Sequence, residues 1–167
     1  QNRPGAGLVS AAAGHLPIDV LCAGLAGAAG RPESRRILEE RLSAAGIARR
    51  VLIVTDSEVA FLDAFGAGDG ILIIAGTGSV AMGRSGSGTL QRVGGWGILM
   101  GDEGSGYSLG LGGLRAAVRG DEGRGPKTSL TPTLFSSIGV ASPRAAFEWS
   151  KAASKADIGA LARHVVE

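Results

Sequence analysis

The chain has 167 residues, 17 Lys and Arg against 15 Asp and Glu, 44% hydrophobic residues and a formal net charge of +2. That balance supplies a core and argues against wholesale disorder, offers no polyelectrolyte surface calling for nucleic acid, and leaves no run of the roughly 18 apolar residues that a membrane span needs. The opening QNRPGAG lacks a charged segment followed by an apolar one, so a retained signal peptide is not supported, and the single Cys22 can form no internal disulfide or cysteine-based metal centre.

IDVLCAG at residues 18–24 is a short apolar run after Pro17, which predicts a strand covered on both faces with Cys22 as a small buried hydrophobe. LAGAAGRPES follows as a loop. Over residues 33–45, Ile37, Leu38, Leu42 and Ala45 recur at helical spacing among Glu and Arg, and Gly46 stops the helix. VLIV at 51–54 is a second buried strand, after which Asp56, Ser57 and Glu58 open a helix that carries Val59, Phe61, Leu62 and Phe65 and ends at Gly66. Strand, helix, strand, helix predicts parallel α/β packing.

After GAGDG at 66–70 the texture changes, with strands expected at 71–75, 80–84 and 89–93 around a tight GTGS turn at 76–79 and an SGSG turn at 85–88. GGWGILMGDEGSG at 94–106 is an ordered loop centred on Trp96. Residues 107–118 are helical despite Gly110, Gly112 and Gly113, each of which costs helix stability and implies close approach of another backbone or a ligand. DEGRGPKT at 121–128 is a loop, and helical stretches follow near 129–137, 144–155 and 157–166, the last without a terminator, so the chain reads as cut at Glu167.

Four places carry chemistry. In GTGS, successive backbone N–H groups and the Thr77 and Ser79 hydroxyls suit an anion, while the alternative is an ordinary hairpin turn. Asp56 follows a strand end, where open α/β sheets place ligand-facing groups; its carboxylate suits a general base on a hydroxyl and equally a helix cap. Asp102 and Glu103 are held in a glycine frame, which suits paired hydrogen bonds to vicinal hydroxyls, metal binding or an exposed acidic turn. Trp96 offers either a ring face for a sugar or a core anchor. His15 and His164 have no partner at useful spacing, and Arg124 with Lys127 reads as a phosphate clamp or a solvated loop.

The ordered series TDSE, GILIIAGTGSVAMG, RVGGWGILMGDEGSGYSLG and GRGPKT resembles the N-acetylglucosamine kinases and their bacterial relatives in the BadF/BadG/BcrA/BcrD ATPase family, within the actin-like ATPase and sugar kinase superfamily. The resemblance runs from about Asn2 to the end of the chain. It implies an α/β, ribonuclease-H-like two-lobe architecture only partly represented in this chain, with residues 1–66 as the later part of the N-terminal small lobe and 67–167 as the first part of the C-terminal large lobe. By the same resemblance Asp56 is the catalytic base for a sugar 6-hydroxyl, and Gly76, Thr77 and Gly78 form the second phosphate loop. Ser79, Gly95, Trp96 and Gly97 line the sugar, Asp102 holds its hydroxyls, and Asn2 matches an early sugar-binding asparagine. No residue is assigned to a metal directly. The glycine-rich loop with which family members begin has no counterpart here, so the chain reads as the middle of a kinase.

The implied reaction is in-line phosphoryl transfer from ATP with Mg2+ to N-acetylglucosamine or a related amino sugar, with lobe closure near residues 66–70 excluding water. The implied setting is cytoplasmic, with no nucleic-acid or membrane partner and a homodimer as an open assembly state. Glucosamine and N-acetylmuramic acid are the alternative sugars. Two other readings stay open: a BadF-type ATPase that activates a partner enzyme, which the lone Cys22 fits poorly because those proteins share an iron–sulfur cluster through paired cysteines, and a non-catalytic sugar-binding module. Sugar-responsive repressors of the superfamily carry a helix-turn-helix and often a cysteine-rich zinc motif, and neither is visible.

Overall fold

The computed structural model describes residues 14–27, 31–86 and 88–167. They divide into two compact units, one within residues 1–72 and 84–88, the other within 73–83 and 89–167. Asn2 lies outside the described residues.

In the first unit, strand β1 (Ile18–Gly24) leads through helix α1 (Pro32–Ala44) to strand β2 (Ala48–Val54), and helix α2 (Asp56–Phe65) follows. The two strands pair in parallel, with Ile18 opposite Ala48 and Gly24 opposite Val54, as the alternation of periods predicts. The core is Ile47, Ala48, Ile53 and Phe61, all buried. Full burial of Ile53 or Phe61 is worth about 1.5–3 kcal/mol each. Phe61 packs at a tilt against Phe65 with ring centroids 5.0 Å apart, and the Arg84 guanidinium covers the Phe61 ring at 5.2 Å.

Among the described residues, nothing covers both faces of these strands. Val20, Cys22 and Leu52 are exposed, so Cys22 is not the buried small hydrophobe expected from its apolar run. Its register partner is Leu52, and the pair lies on an open face of the sheet formed by β1 and β2. An apolar strand sequence states what can be buried, while the packing of other elements decides whether it is.

Strands β3 (Gly70–Ala75), β4 (Ser79–Arg84) and β5 (Gln91–Gly94) form a sheet in that order. β4 and β5 are antiparallel, with Val80 opposite Gly94 and Gly83 opposite Gln91. The second unit continues with helices α3 (Gly106–Asp121), α4 (Leu130–Ser137), α5 (Pro143–Ala152), α6 (Lys155–Ala160) and α7 (Arg163–Val166). The single terminal helix expected over 157–166 is thus two, divided by a turn at Leu161 and Ala162, and α3 runs on through Asp121. Leu114, Ala117, Leu134, Phe135, Ala146 and Leu161 make the helical core, with Trp149 packed against it.

Of Gly110, Gly112 and Gly113 within α3, two are there for close packing. A Cβ on Gly110 would run into the carbonyl oxygen of Ile158, and one on Gly113 would lie 2.5 Å from a Val165 methyl. Gly112 departs from the expectation, since a Cβ there would meet nothing within 4 Å. No helix is long and apolar enough to cross a membrane among the described residues.

Candidate functional site

The first unit presents Asp56. β1 and β2 run side by side toward this position: Leu25 N–H donates to the Val54 carbonyl at 3.0 Å, and a Cβ on Gly24 would lie 2.7 Å from a Val59 methyl and 3.5 Å from the Asp56 Cα. α2 therefore starts directly against the C-terminal ends of two parallel strands, where α/β sheets gather ligand-facing groups.

Asp56 is not the cap of this helix. Thr55 is: its hydroxyl accepts from Glu58 N–H at 3.1 Å while Glu58 accepts from Thr55 N–H at 2.6 Å, a reciprocal capping box. Arg35 of α1 braces the box, donating to the Ile53 carbonyl at 2.5 Å and lying 3.8 Å from Glu58. Asp56, first residue of the helix, is exposed, and no hydrogen bond to its carboxylate is formed among the described residues. A carboxylate at a sheet end that neither caps nor pairs can accept a proton from a ligand hydroxyl.

The second unit presents the GTGS turn between β3 and β4. Gly76 N–H is taken up inside the turn by the Gly78 carbonyl at 2.9 Å, and Ser79 N–H by Asp102 Oδ1 at 3.1 Å. The expected cradle of successive amides is therefore narrower, with Thr77 and Gly78 N–H donating to no protein acceptor among the described residues. Thr77 is exposed, and a Cβ on Gly76 would meet nothing within 4 Å, so the turn is open to a ligand. Two free amides and the Thr77 hydroxyl suit one phosphate group.

The turn is fastened from behind. Gly106 and Tyr107 N–H donate to the Gly76 and Thr77 carbonyls at 2.7 and 3.3 Å, which ties the turn to the first turn of α3. Ser105, fully buried, caps that helix by accepting from Ser108 N–H at 3.1 Å. A Cβ on Gly159 would lie 3.7 Å from the Thr77 methyl, so α6 closes the back of the turn. Sequence reasoning missed α6 here; its one signal was a glycine inside a helix, at a contact that only the fold reveals.

Asp102 and Glu103 do not act as a pair. Asp102 is 8% exposed with φ of 62°, left-handed for a non-glycine residue, whereas Glu103 is exposed. Asp102 lies against Gly78, where an added Cβ would come within 3.1 Å of Oδ1. Glycine at 78 leaves this carboxylate its place, since a Cβ there would push it back by a few tenths of an ångström. Ser79 donates its hydroxyl to the Glu103 carbonyl at 2.7 Å, pinning the same loop from the other side. Among the described residues Asp102 Oδ2 carries no such amide contact, and it can accept from a ligand.

The pairing of Val80 with Gly94 brings the Trp96 loop to the end of β4 that carries the turn. Gly94, Gly95 and Gly97 all have positive φ, which reverses the chain around Trp96. Trp96 is 71% exposed, so it anchors no core; the core tryptophan is Trp149. The Arg92 guanidinium lies 5.4 Å from the Trp96 ring centroid and donates to the Gly95 carbonyl at 2.6 Å, which holds the indole out from the loop. No cluster of three or more His, Cys, Asp or Glu gathers as a metal site among the described residues.

Comparison with known proteins gives these arrangements a context. Residues 11–167 match the model of the BadF/BadG/BcrA/BcrD ATPase family. The chain is 36% identical over 110 residues to an N-acetylmuramic acid/N-acetylglucosamine kinase of Clostridium acetobutylicum, covering 66% of this chain and 36% of that protein. It is 35% identical over 81 residues to an N-acetyl-D-glucosamine kinase of Dictyostelium discoideum, covering 48% of this chain and 25% of that one. The chain thus spans about a third or less of the curated relatives it matches. A crystal structure provisionally described as an N-acetylglucosamine kinase of Chromobacterium violaceum superposes with a TM-score of 0.70 at 29% identity, over 85% of this chain and 49% of that one. A second, from Porphyromonas gingivalis, shares the fold at 21% identity with a TM-score of 0.58, over 97% of this chain and 60% of that one.

Proposed function

The chain belongs to the BadF/BadG/BcrA/BcrD ATPase family, and on that premise we propose that it serves an ATP-dependent kinase acting on the 6-hydroxyl of N-acetylglucosamine or a related amino sugar. The observation that carries this reading is the buried, left-handed Asp102 locked by Ser79 N–H against the GTGS turn. A hydroxyl-accepting carboxylate and a phosphate-type turn are built as one piece, which suits an enzyme that brings a sugar to a phosphate.

In this proposal Thr77 and Gly78 N–H and the Thr77 hydroxyl hold phosphate oxygens, with Gly76 giving them room. Asp102 Oδ2 accepts from sugar hydroxyls, and the Trp96 face, with Gly95 and Gly97 shaping its loop and Ser79 fastening it, bounds the ring. Asp56 accepts the proton of the 6-hydroxyl as that oxygen bonds to phosphorus and the bridging oxygen leaves with the nucleoside diphosphate. ATP, as its Mg2+ complex, supplies the phosphoryl group; positioning and charge stabilisation do most of the catalytic work. The matching family assignment, the relatives' names and the free carboxylate of Asp56 support these roles.

The test is release of nucleoside diphosphate from ATP by the purified protein with N-acetylglucosamine, N-acetylmuramic acid or glucosamine, beside an Asp56→Asn variant. Sugar-dependent release that drops by about 100- to 10,000-fold in the variant is expected. Release that ignores sugar would instead identify an activator-type ATPase, and sugar binding without release a non-catalytic module.

A further inference from the structure

Away from the turn and the Trp96 loop, the second unit carries a groove of about 860 Å3 between α3 and the start of α5. Leu111, Leu114, Val118 and Phe147 give it an apolar floor. Arg115, Arg119, Arg124 and Arg144 stand around it with one carboxylate, Glu122. Four guanidinium groups against one carboxylate make the lining strongly positive in a chain whose overall charge is only +2.

Two of these arginines have partners that fix them at the rim. Arg124 donates to Glu122 at 2.6 Å, and Arg144 pairs with Glu148 at 3.0 Å. Arg115 and Arg119 are different: they are one helical turn apart on α3, both exposed, and neither pairs with a carboxylate among the described residues. Like charges at that spacing repel, and the helix C-terminus relieves the repulsion only for Arg119, in the last turn. An anion lying between them relieves it for both. Phe147, 53% exposed, has the Arg144 guanidinium 5.8 Å and the Lys151 ammonium 4.9 Å from its ring centroid, which leaves an aromatic surface bordered by cations.

The volume is that of a small-molecule site, and guanidinium forks match phosphate oxygens in shape and charge. We infer that this groove binds an organic phosphate bearing an aromatic or acyl group, its phosphate between Arg115 and Arg119 and its apolar part over Leu114 and Phe147. The groove shares no residue with the transfer site proposed above, and its occupancy is independent of the kinase reading.

Naphthyl phosphate is the probe, titrated by its fluorescence against the purified protein beside naphthol and inorganic phosphate. Naphthyl phosphate is expected to bind at least ten-fold more tightly than either single-feature probe. The double variant Arg115→Gln, Arg119→Gln should weaken it ten-fold or more, as should Phe147→Ala, with melting curves confirming the fold. Arg115→Lys with Arg119→Lys retains charge without the fork and should recover part of the loss, which keeps the test valid if the glutamine variant does not fold. Binding unchanged in both arginine variants, equal affinity for inorganic phosphate or naphthol, or a preference for an acidic Asp-Phe-Asp peptide over naphthyl phosphate would overturn the inference.

Discussion

Asp102 holds a backbone conformation that costs a non-glycine residue about 1–3 kcal/mol, and such strain is retained where a side chain must point one way. Asp102→Asn keeps an acceptor for Ser79 N–H and should leave the melting temperature within a few degrees of wild type while kcat/KM for sugar falls about 10- to 100-fold, the scale of one lost charge-assisted hydrogen bond. Asp102→Gly should melt at the same temperature or higher and lose activity as well; if both variants instead lose stability and activity in proportion, the residue is structural. The MGDEGSG frame made this position visible in the sequence, but the left-handed φ and the contact with Gly78 were not, because both depend on a turn 23 residues earlier. Asp56 was legible as a strand-end carboxylate. Its freedom from capping was also within reach, since Thr55 and Glu58 carry the T-x-x-E signature of a capping box. Cys22 was misread because its exposure is a property of the sheet face, not of its neighbours in sequence.

Helices were the most readable elements, since α1 and α2 follow from apolar spacing and glycine stops. The glycines of α3 were readable only as a group. Gly110→Ala should destabilise by about 1–3 kcal/mol through overpacking on the Ile158 carbonyl, whereas Gly112→Ala, in open space, should stabilise by up to about 1 kcal/mol through helix propensity. Urea unfolding of the two variants checks the opposite signs. A second prediction concerns α6, whose cap is Ser154 with Asp157 reaching back to it. The side-chain and backbone hydrogen bonds from Ser154 lower the Asp157 carboxyl below its ordinary value. The cap therefore contributes fully above the usual aspartate range, near pH 4, and its contribution is lost as pH falls through the lower folded value. Amide exchange at Ile158 and Leu161 should quicken over that acid interval, and Asp157→Ala should remove the pH dependence. The division of the last helical stretch into α6 and α7 went unseen because no glycine or proline marks the turn at Leu161 and Ala162.

For the molecule as a whole, the parallel pairing of β1 with β2 could be derived from alternating periods, and the sheet order of β3, β4 and β5 from turn residues. What lay beyond sequence was coverage: β3 leaves Ile71 and Ile73 exposed, β1 leaves Val20, and the arginine groove joins residues of α3 to residues of α5 some 30 positions on. One fastening described above reaches across this scale. Because Gly106 and Tyr107 N–H hold the Gly76 and Thr77 carbonyls, the GTGS turn cannot shift without carrying α3. That helix has 16 residues, a rod about 24 Å long, and its far half lines the arginine groove. Whatever occupies the turn therefore addresses the same rigid body as whatever occupies the groove, and by thermodynamic linkage an effect of either ligand on the other's affinity must be mutual. Amide exchange along α3 on addition of ATP alone reads this out: slowing that extends from Leu109 to Val118 is expected, and slowing confined to the first turn would mean the rod transmits nothing.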